Sequence, residues 1–224
     1  AARLASLSLG YSGVRCLLLD RIAALINHDL MPLMPEEGSV GASGDLTPLS
    51  YLAAVLMGER MVWRQGVPVA AAEALAAAGI ETIVLAPKET LALMNGTAVM
   101  TGLSCLAWQR AEYLAQLASR ITSLTSLATR GNPEHFDPGL FAVKPHSGQN
   151  EVANWIWQDL GAGRNSVPIR LQDRYSIRCA PHVIGVLRDA LPWMRRDIEN
   201  ELNSANDNPI IDADNERVLH GGHF

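Results

Sequence analysis

From about Thr97 to Ala128 the chain carries Leu103, Leu106, Leu114, Leu117, Ile121 and Leu124, mostly three or four residues apart. That spacing draws one apolar stripe along a single helix of some eight turns at ~3.6 residues per turn. A helix of ~30 residues is about 45 Å long, more than a compact domain of this size readily covers, so the stripe needs neighbours. A second long pattern runs from about Pro181 to Leu202 through Ile184, Leu187, Leu191, Met194 and Ile198, with Pro192 placed to kink it. The fold class that follows is mainly α, a bundle of long helices with small β-hairpin elements.

Shorter signals fill in the remainder. Leu4 to about His28 reads as one helix, ended near Pro32 and Pro35. Arg60 to Val69 reads as a hairpin about Gln65-Gly66, and Ala70 to Ala78 as a brief helix stopped by Gly79. Gly131 to Pro145, with Asn132-Pro133 and Asp137-Pro138-Gly139, reads as an ordered loop before a helix from about Gly148 to Leu160. Arg217-Val218-Leu219 is strand-like. The natural division is into residues 1–96 and 97–224. Helical periodicity is already running at Leu4 and the chain stops at Gly221-Gly222-His223-Phe224, which reads as an internal fragment of a longer protein.

The net charge of −5, without a basic run, argues against nucleic acid or an anionic membrane as partner. Apolar stretches are interrupted by charges before the ~18 residues that a membrane span needs. Cys16, Cys105 and Cys179 are odd in number and widely spaced, which suits reduced thiols in a cytoplasmic protein. The histidines form no metal-binding pattern: His220 and His223 are three apart but on a glycine-rich tail, so no metal is expected.

The most chemically pointed stretch is Val40-Gly41-Ala42-Ser43-Gly44-Asp45, followed by Leu46-Thr47-Pro48. Its plain reading is a loop entering a helix, with Ser43 or Asp45 as N-cap and Leu49, Leu52, Ala53 and Leu56 on the buried face. Two glycines around an Ala-Ser pair also allow a turn tight enough to bring the Gly44 nitrogen against the Ala42 carbonyl carbon. Planar resonance makes an amide nitrogen a poor nucleophile, so reaction there requires a loop held under strain. Cyclisation and loss of water from Ser43 would then leave a ring with an exposed methylidene, an electrophile.

The run Gly38-Ser39-Val40-Gly41-Ala42-Ser43-Gly44-Asp45-Leu46-Thr47-Pro48-Leu49-Ser50 resembles the signature of the aromatic amino acid ammonia-lyases, the histidine, phenylalanine and tyrosine enzymes with their related aminomutases. The likeness continues at Met94-Asn95-Gly96-Thr97, at Gln172-Asp173-Arg174-Tyr175-Ser176-Ile177-Arg178, at Glu199 to Pro209 and at His220 to Phe224, so it covers about Gly10 to Phe224. It implies that Ala42, Ser43 and Gly44 form the 4-methylideneimidazole-5-one group (MIO) autocatalytically, without a metal or dissociable cofactor. Residues 1–96 would then be the MIO-bearing part of the catalytic domain, and 97–224 the start of the central long-helix bundle.

The same resemblance implies site roles. Asn95, whose plain reading is a helix cap, would lie beside the ring and hydrogen-bond its oxygen, stabilising charge that develops there. Arg178 would grip the substrate carboxylate with two parallel hydrogen bonds, Tyr175 would lie near the ring and the amino group, and Gln172 would be a polar contact of the pocket. Phe224 matches an aromatic that lines the pocket, whereas His223 stands where many relatives have Asn. Glu199 to Pro209 keeps its plain reading of a helix terminus with turn chemistry.

The implied reaction is elimination of ammonia from an aromatic L-amino acid in the full-length protein. Arg174 ranks tyrosine or phenylalanine above histidine as substrate. The tyrosine credited as base in the family lies upstream of residue 1, so the fragment alone is expected to be inactive. Family members are homotetramers whose pockets draw on more than one subunit, which implies self-association. The rival readings are an aromatic 2,3-aminomutase using the same ring, and a non-catalytic helical assembly module in which Ala-Ser-Gly only starts a helix.

Overall fold

The computed structural model describes residues 1–161 and 168–223. They fall into two compact units, Ala1–Ser104 with Ile198–Phe224, and Cys105–Asp197.

The first unit begins with α1 (Ala2–Ser8) and α2 (Cys16–Asn27), then β1 (Met31–Pro32), α3 (Leu46–Leu56), β2 (Met61–Arg64), β3 (Val67–Ala70), α4 (Ala71–Ala77) and α5 (Glu89–Met94). The three strands form an antiparallel sheet in the order β1-β2-β3, with Met31 opposite Trp63 and Arg64 opposite Val67 across the expected Gln65-Gly66 turn. Leu7, Leu18, Leu30, Leu56, Leu75 and Leu93 lie together in the core, all but sealed from solvent. Each such leucine contributes roughly 1.5–3 kcal/mol by leaving water.

The single helix expected from Leu4 to His28 is two helices. Gly10 and Gly13 take φ values of +85° and +63°, a left-handed backbone that ends α1 and turns the chain before α2. Leu7 and Leu18 both enter the same core, so two short helices reproduce the apolar spacing of one long one.

Beyond α5, α6 (Ala98–Ala128) leaves the first unit at Ser104. The second unit continues through α7 (Pro138–Ala142), α8 (Ser147–Asp159), the single turn α9 (Tyr175–Arg178) and α10 (Ala180–Leu202), which contains Pro192 and re-enters the first unit at Ile198. The hairpin β4 (Ile210–Asp212) and β5 (Arg217–Leu219) completes the first unit. Phe136, Val152, Ile156 and Ile177 form the second core.

The stretch expected to be loop from Gly131 to Pro145 holds a 3₁₀ turn at Pro133–Phe136 as well as α7. Its Asn-Pro and Asp-Pro pairs are helix-start chemistry. Asn132 Oδ1 accepts from Glu134 N at 3.1 Å and Asp137 Oδ1 from Gly139 N at 2.7 Å, each with proline at the first helical position.

α6 has its faces reversed relative to an ordinary surface helix. Ala115, Ser119, Ser123 and Ser126 are buried, while Leu103, Leu106, Leu114, Leu117, Ile121 and Leu124 are 36–65% exposed. Ser119 and Ser123 satisfy their hydroxyls on the carbonyls of Ala115 and Ser119, one turn back. The apolar stripe of the sequence is therefore an outer face.

Candidate active site

Ser43 sits between Ala42, which is exposed, and Gly44, with φ at +50°. A left-handed backbone at a residue with a Cβ costs on the order of 1–3 kcal/mol and persists only where its surroundings hold it. The surroundings here are Gly96 and the first turn of α6. Gly44 and Gly96 form a parallel β-bridge; Asp45 N donates to Gly96 O at 2.7 Å and Gly96 N to Ser43 O at 3.1 Å. A Cβ on Gly44 would lie 2.3 Å from the Gly96 oxygen, so only glycine fits against that backbone.

Asp45 occupies the N-cap position of α3 but makes no side-chain cap there. Its Oδ2 instead accepts from Met100 N at 2.8 Å, in the first turn of α6, while Oδ1 accepts from Ser39 Oγ at 3.3 Å. The cap expected within one helix thus ties two helices together. Neither glycine spacing nor helix signals disclose this, because the partner lies 55 residues away.

Asn95 is buried and does not cap α6. Its Nδ2 donates to Asp207 Oδ1 at 3.3 Å and to Asn208 O at 2.8 Å, and its Oδ1 is a buried acceptor with no partner among the described residues. Donation to a ring oxygen, as the resemblance implies, would require Nδ2 to leave one of those acceptors. Asp207 is fully buried and its Oδ2 takes the Lys88 ammonium at 2.6 Å. Asp207 N donates to His223 O at 2.8 Å, which ties the glycine-rich tail to the same cluster.

Around this pair, buried Arg3 donates from Nε to Ala92 O at 2.8 Å and from Nη1 to Asn206 O at 2.6 Å. Burial pushes the Arg3 guanidinium down to about 10, against the opposing pull of Asp207. Glu201 Oε1 accepts from Thr97 Oγ1 and, at 3.1 Å, from Asn206 Nδ2. The Glu199 to Pro209 stretch is therefore more than a helix end with turn chemistry. It supplies partners to Arg3, Lys88, Asn95 and Thr97, and its polar run Asn206-Asp207-Asn208 before Pro209 was the available signal.

The other expected residues lie in the second unit. Gln172 is exposed, and Tyr175 is 71% exposed at the start of α9. Arg178 closes that turn, with Nε donating to Asp173 O at 2.9 Å and Cζ 4.0 Å above the Tyr175 ring. Asp173 is buried; its Oδ2 accepts from Asn132 N at 2.7 Å, and its own N–H donates to His135 Nε2 at 3.0 Å. That makes Nε2 the unprotonated nitrogen of His135, a residue the sequence did not single out.

A cavity of about 380 Å³ opens beside Arg178, lined by His135, Phe141, Lys144, Cys179 and His182 among others. Burial, helped by the Lys144 charge, pushes the His182 imidazole below its ordinary value. Two basic side chains, Lys144 and Arg178, therefore face one space, an arrangement suited to an anion. Phe224 lies outside the described residues. Among the described residues no group of His, Cys, Asp and Glu is placed to hold a metal ion, and no helix is long and apolar enough to cross a membrane.

The aromatic amino acid lyase family matches residues 1–224. The chain belongs to that family. It is 42% identical over 222 residues to a histidine ammonia-lyase of Myxococcus xanthus, covering 97% of this chain and 44% of that protein. It is 40% identical over 233 residues to the histidine ammonia-lyase of Bos taurus, covering 100% and 36%. The chain thus spans about two fifths of the length of these curated relatives. Among solved structures it superposes on the phenylalanine aminomutase of Pantoea agglomerans with a TM-score of 0.90 at 36% identity, covering 100% of this chain and 47% of that one. The phenylalanine ammonia-lyase of Rhodosporidium toruloides gives 0.89 at 37% identity, covering 99% and 35%. The mainly α architecture of this lyase-family chain is that of the ammonia-lyases and aminomutases.

The residues present fit the ring that the resemblance implies. Ser43 is held left-handed between Ala42 and Gly44, and Gly44 is pressed against Gly96 where no side chain could enter.

Proposed function

We propose that the full-length protein eliminates ammonia from an aromatic L-amino acid, tyrosine or phenylalanine ahead of histidine, and releases a trans-α,β-unsaturated acid. The observation that carries this reading is the left-handed Ser43, held between Ala42 and Gly44 by the backbone of Gly96. An MIO group formed autocatalytically from these three residues supplies an electrophilic carbon where side chains alone offer only nucleophiles and proton carriers.

The remaining work falls to the chain's own groups. Arg178 keeps its Nε on the Asp173 carbonyl, so its two terminal nitrogens, which have no other partner among the described residues, are free to grip a carboxylate bidentately. Stacking on Tyr175 fixes the plane of that grip. Tyr175 presents its hydroxyl to the amino group, and Gln172 adds a polar contact. Asn95 offers Oδ1 as an acceptor for an N–H donor, the substrate ammonium being the donor at hand. The outward apolar face of α6 supports self-association, with the homotetramer as the assembly.

Arg174 favours phenylalanine or tyrosine, whereas the similar curated proteins are named histidine ammonia-lyases, which makes histidine the next substrate to assay. The aminomutase reading has its own support in the superposition on the Pantoea agglomerans enzyme. Both are decided by incubating the full-length protein with tyrosine, phenylalanine and histidine and resolving the products. The expected product is the unsaturated acid with free ammonia. A β-amino acid as the main product would replace the lyase reading with the mutase one, and no turnover with an unmodified mass at Ala42-Ser43-Gly44 would leave the non-catalytic assembly module.

A further inference from the structure

Lys88 and Asp207 lie 119 residues apart in sequence yet form a 2.6 Å ion pair, with the Lys88 side chain mostly buried and that of Asp207 wholly so. Burying two charges is a poor source of stability, since their desolvation offsets most of the attraction, and such pairs are best understood by what they hold in register. This pair holds Asn95. The paired carboxylate accepts from Asn95 Nδ2 through Oδ1, and the same Oδ1 takes Asn208 N at 2.7 Å, which sets the Asn208 carbonyl to accept from Nδ2 at 2.8 Å. Asn95 precedes Gly96, and Gly96 is the residue whose N–H and carbonyl clasp Ser43 and Asp45.

We propose that the Lys88–Asp207 pair is a positioning device for the Ala42-Ser43-Gly44 loop, acting through Asn95 and Gly96 to hold the loop in the compressed form from which its ring closes. The inference rests on the functional reading above, that the ring forms at all. In that closure the Gly44 nitrogen bonds to the Ala42 carbonyl carbon. The carbonyl oxygen leaves as water with the amide hydrogens of Gly44 and Ser43, and the Ser43 hydroxyl leaves as a second water with the Ser43 Cα hydrogen. No oxidant or reductant enters. The chain need only keep the nitrogen against the carbon, and a Gly96 backbone that can retreat by a fraction of an ångström would let the loop relax to an ordinary turn.

The test follows the loss of two waters by intact mass in the full-length protein, as a function of time after synthesis. Lys88→Gln should slow ring formation by about tenfold or more, and Lys88→Arg should restore most of it. In an Asn95→Ala background, Lys88→Gln should add no further loss, because the connection is already cut. Glu89→Gln breaks a different ion pair, between the buried Glu89 carboxylate and the half-exposed Arg15, at the first residue of α5 next to Lys88, and should lower stability while leaving ring formation at its ordinary rate. Full ring formation in Lys88→Gln, or independent losses from Lys88→Gln and Asn95→Ala, overturns the proposal. If Lys88→Gln does not fold, the double variant Lys88→Met with Asp207→Leu removes both charges together, and an ordinary ring in that folded protein overturns it equally. An unmodified mass in the unsubstituted protein overturns the functional reading itself, a result distinct from either of these.

Discussion

Asp45 and Gly96 are joined by a backbone hydrogen bond of 2.7 Å, and the reciprocal bond from Gly96 N to Ser43 O brackets Gly44 between them. Gly44→Ala therefore meets two obstacles at once, a left-handed φ of +78° and a Cβ 2.3 Å from the Gly96 oxygen. The variant should lose at least ~2 kcal/mol of stability, the conformational penalty plus a displaced Gly96 backbone. Its mass should also retain both waters. Denaturant unfolding and mass spectrometry on the full-length protein check the two arms, and a variant as stable as its parent would mean the Gly44–Gly96 contact is loose.

Ser43 gives a prediction in which stability and activity part company. Ser43→Ala keeps the left-handed backbone and removes the hydroxyl whose loss creates the methylidene, so activity should fall by far more than tenfold while the fold persists. Ser43→Gly relieves the φ of +50° and should be the more stable of the two by about 1 kcal/mol, yet equally inactive. Residual turnover within tenfold of wild type, a barrier change of only ~1.4 kcal/mol, would remove the ring from the mechanism.

Arg178→Lys should raise KM with a smaller effect on kcat. A point ammonium cannot donate two parallel hydrogen bonds, nor can it hold the Asp173 carbonyl and cover the Tyr175 ring at once. Loss of one charge-assisted bond costs about 1.5–3 kcal/mol, roughly ten- to a hundredfold in affinity. The direct measurement is the binding of the unsaturated acid, which keeps the carboxylate and lacks the amine. Unchanged affinity for that acid would take Arg178 out of carboxylate recognition.

The fold was legible where one period governs one element. α6 from Ala98 to Ala128 and the Gln65-Gly66 hairpin follow from local spacing, since nothing distant competes with it. The α1–α2 break was hidden because both helices feed Leu7 and Leu18 into one core, so the apolar rhythm runs on across Gly10 and Gly13. The candidate site divides in the same way. Ala42-Ser43-Gly44 and the Tyr175–Arg178 turn are singled out by the family resemblance of the sequence runs that hold them, not by spacing. The Gly44–Gly96 bridge, the Asp45 cap on Met100 and the Lys88–Asp207 pair arise from tertiary contacts between distant segments, which no local pattern encodes.

Glu89 carries a prediction in acid. Its buried carboxylate accepts from Arg15 Nε at 2.9 Å and Nη2 at 2.7 Å, and from the backbone N–H groups of Ala86 at 2.7 Å and Arg15 at 3.1 Å. The Arg15 guanidinium foremost, with those backbone N–H groups, lowers it from 4.5 to about 2. A carboxyl depressed on folding stabilises the native state fully above its unfolded value, and that contribution drains away as the pH falls through the folded one. The contribution of Glu89 is thus intact above pH 4.5 and lost between there and pH 2. Glu89→Gln should be less stable than wild type at neutral pH and should flatten the acid limb of the stability curve over that window. Parallel curves for the two proteins would show that Arg15 leaves this carboxyl unperturbed.

The outward face of α6 yields the last prediction. Leu103, Leu106, Leu114, Ile121 and Leu124 are each more than half exposed, while the helix turns Ala115, Ser119 and Ser123 inward. Side chains of that size in water forgo roughly 1.5–3 kcal/mol apiece, and a contiguous row of them is larger than a monomer ordinarily leaves uncovered. Packing of α6 against its counterparts in other copies would recover that energy, and a helix ~45 Å long offers enough length for several such contacts. Leu114→Glu together with Ile121→Glu places two carboxylates in the middle of the face without touching the buried small residues. The variant should therefore keep its helical content and lose its assembly. Sedimentation over a range of concentrations should show a multimer for the parent and a much smaller species for the variant. An unaltered multimer would locate the interface elsewhere, and a parent that stays monomeric and binds no hydrophobic dye would leave the α6 stripe without a partner of its own kind.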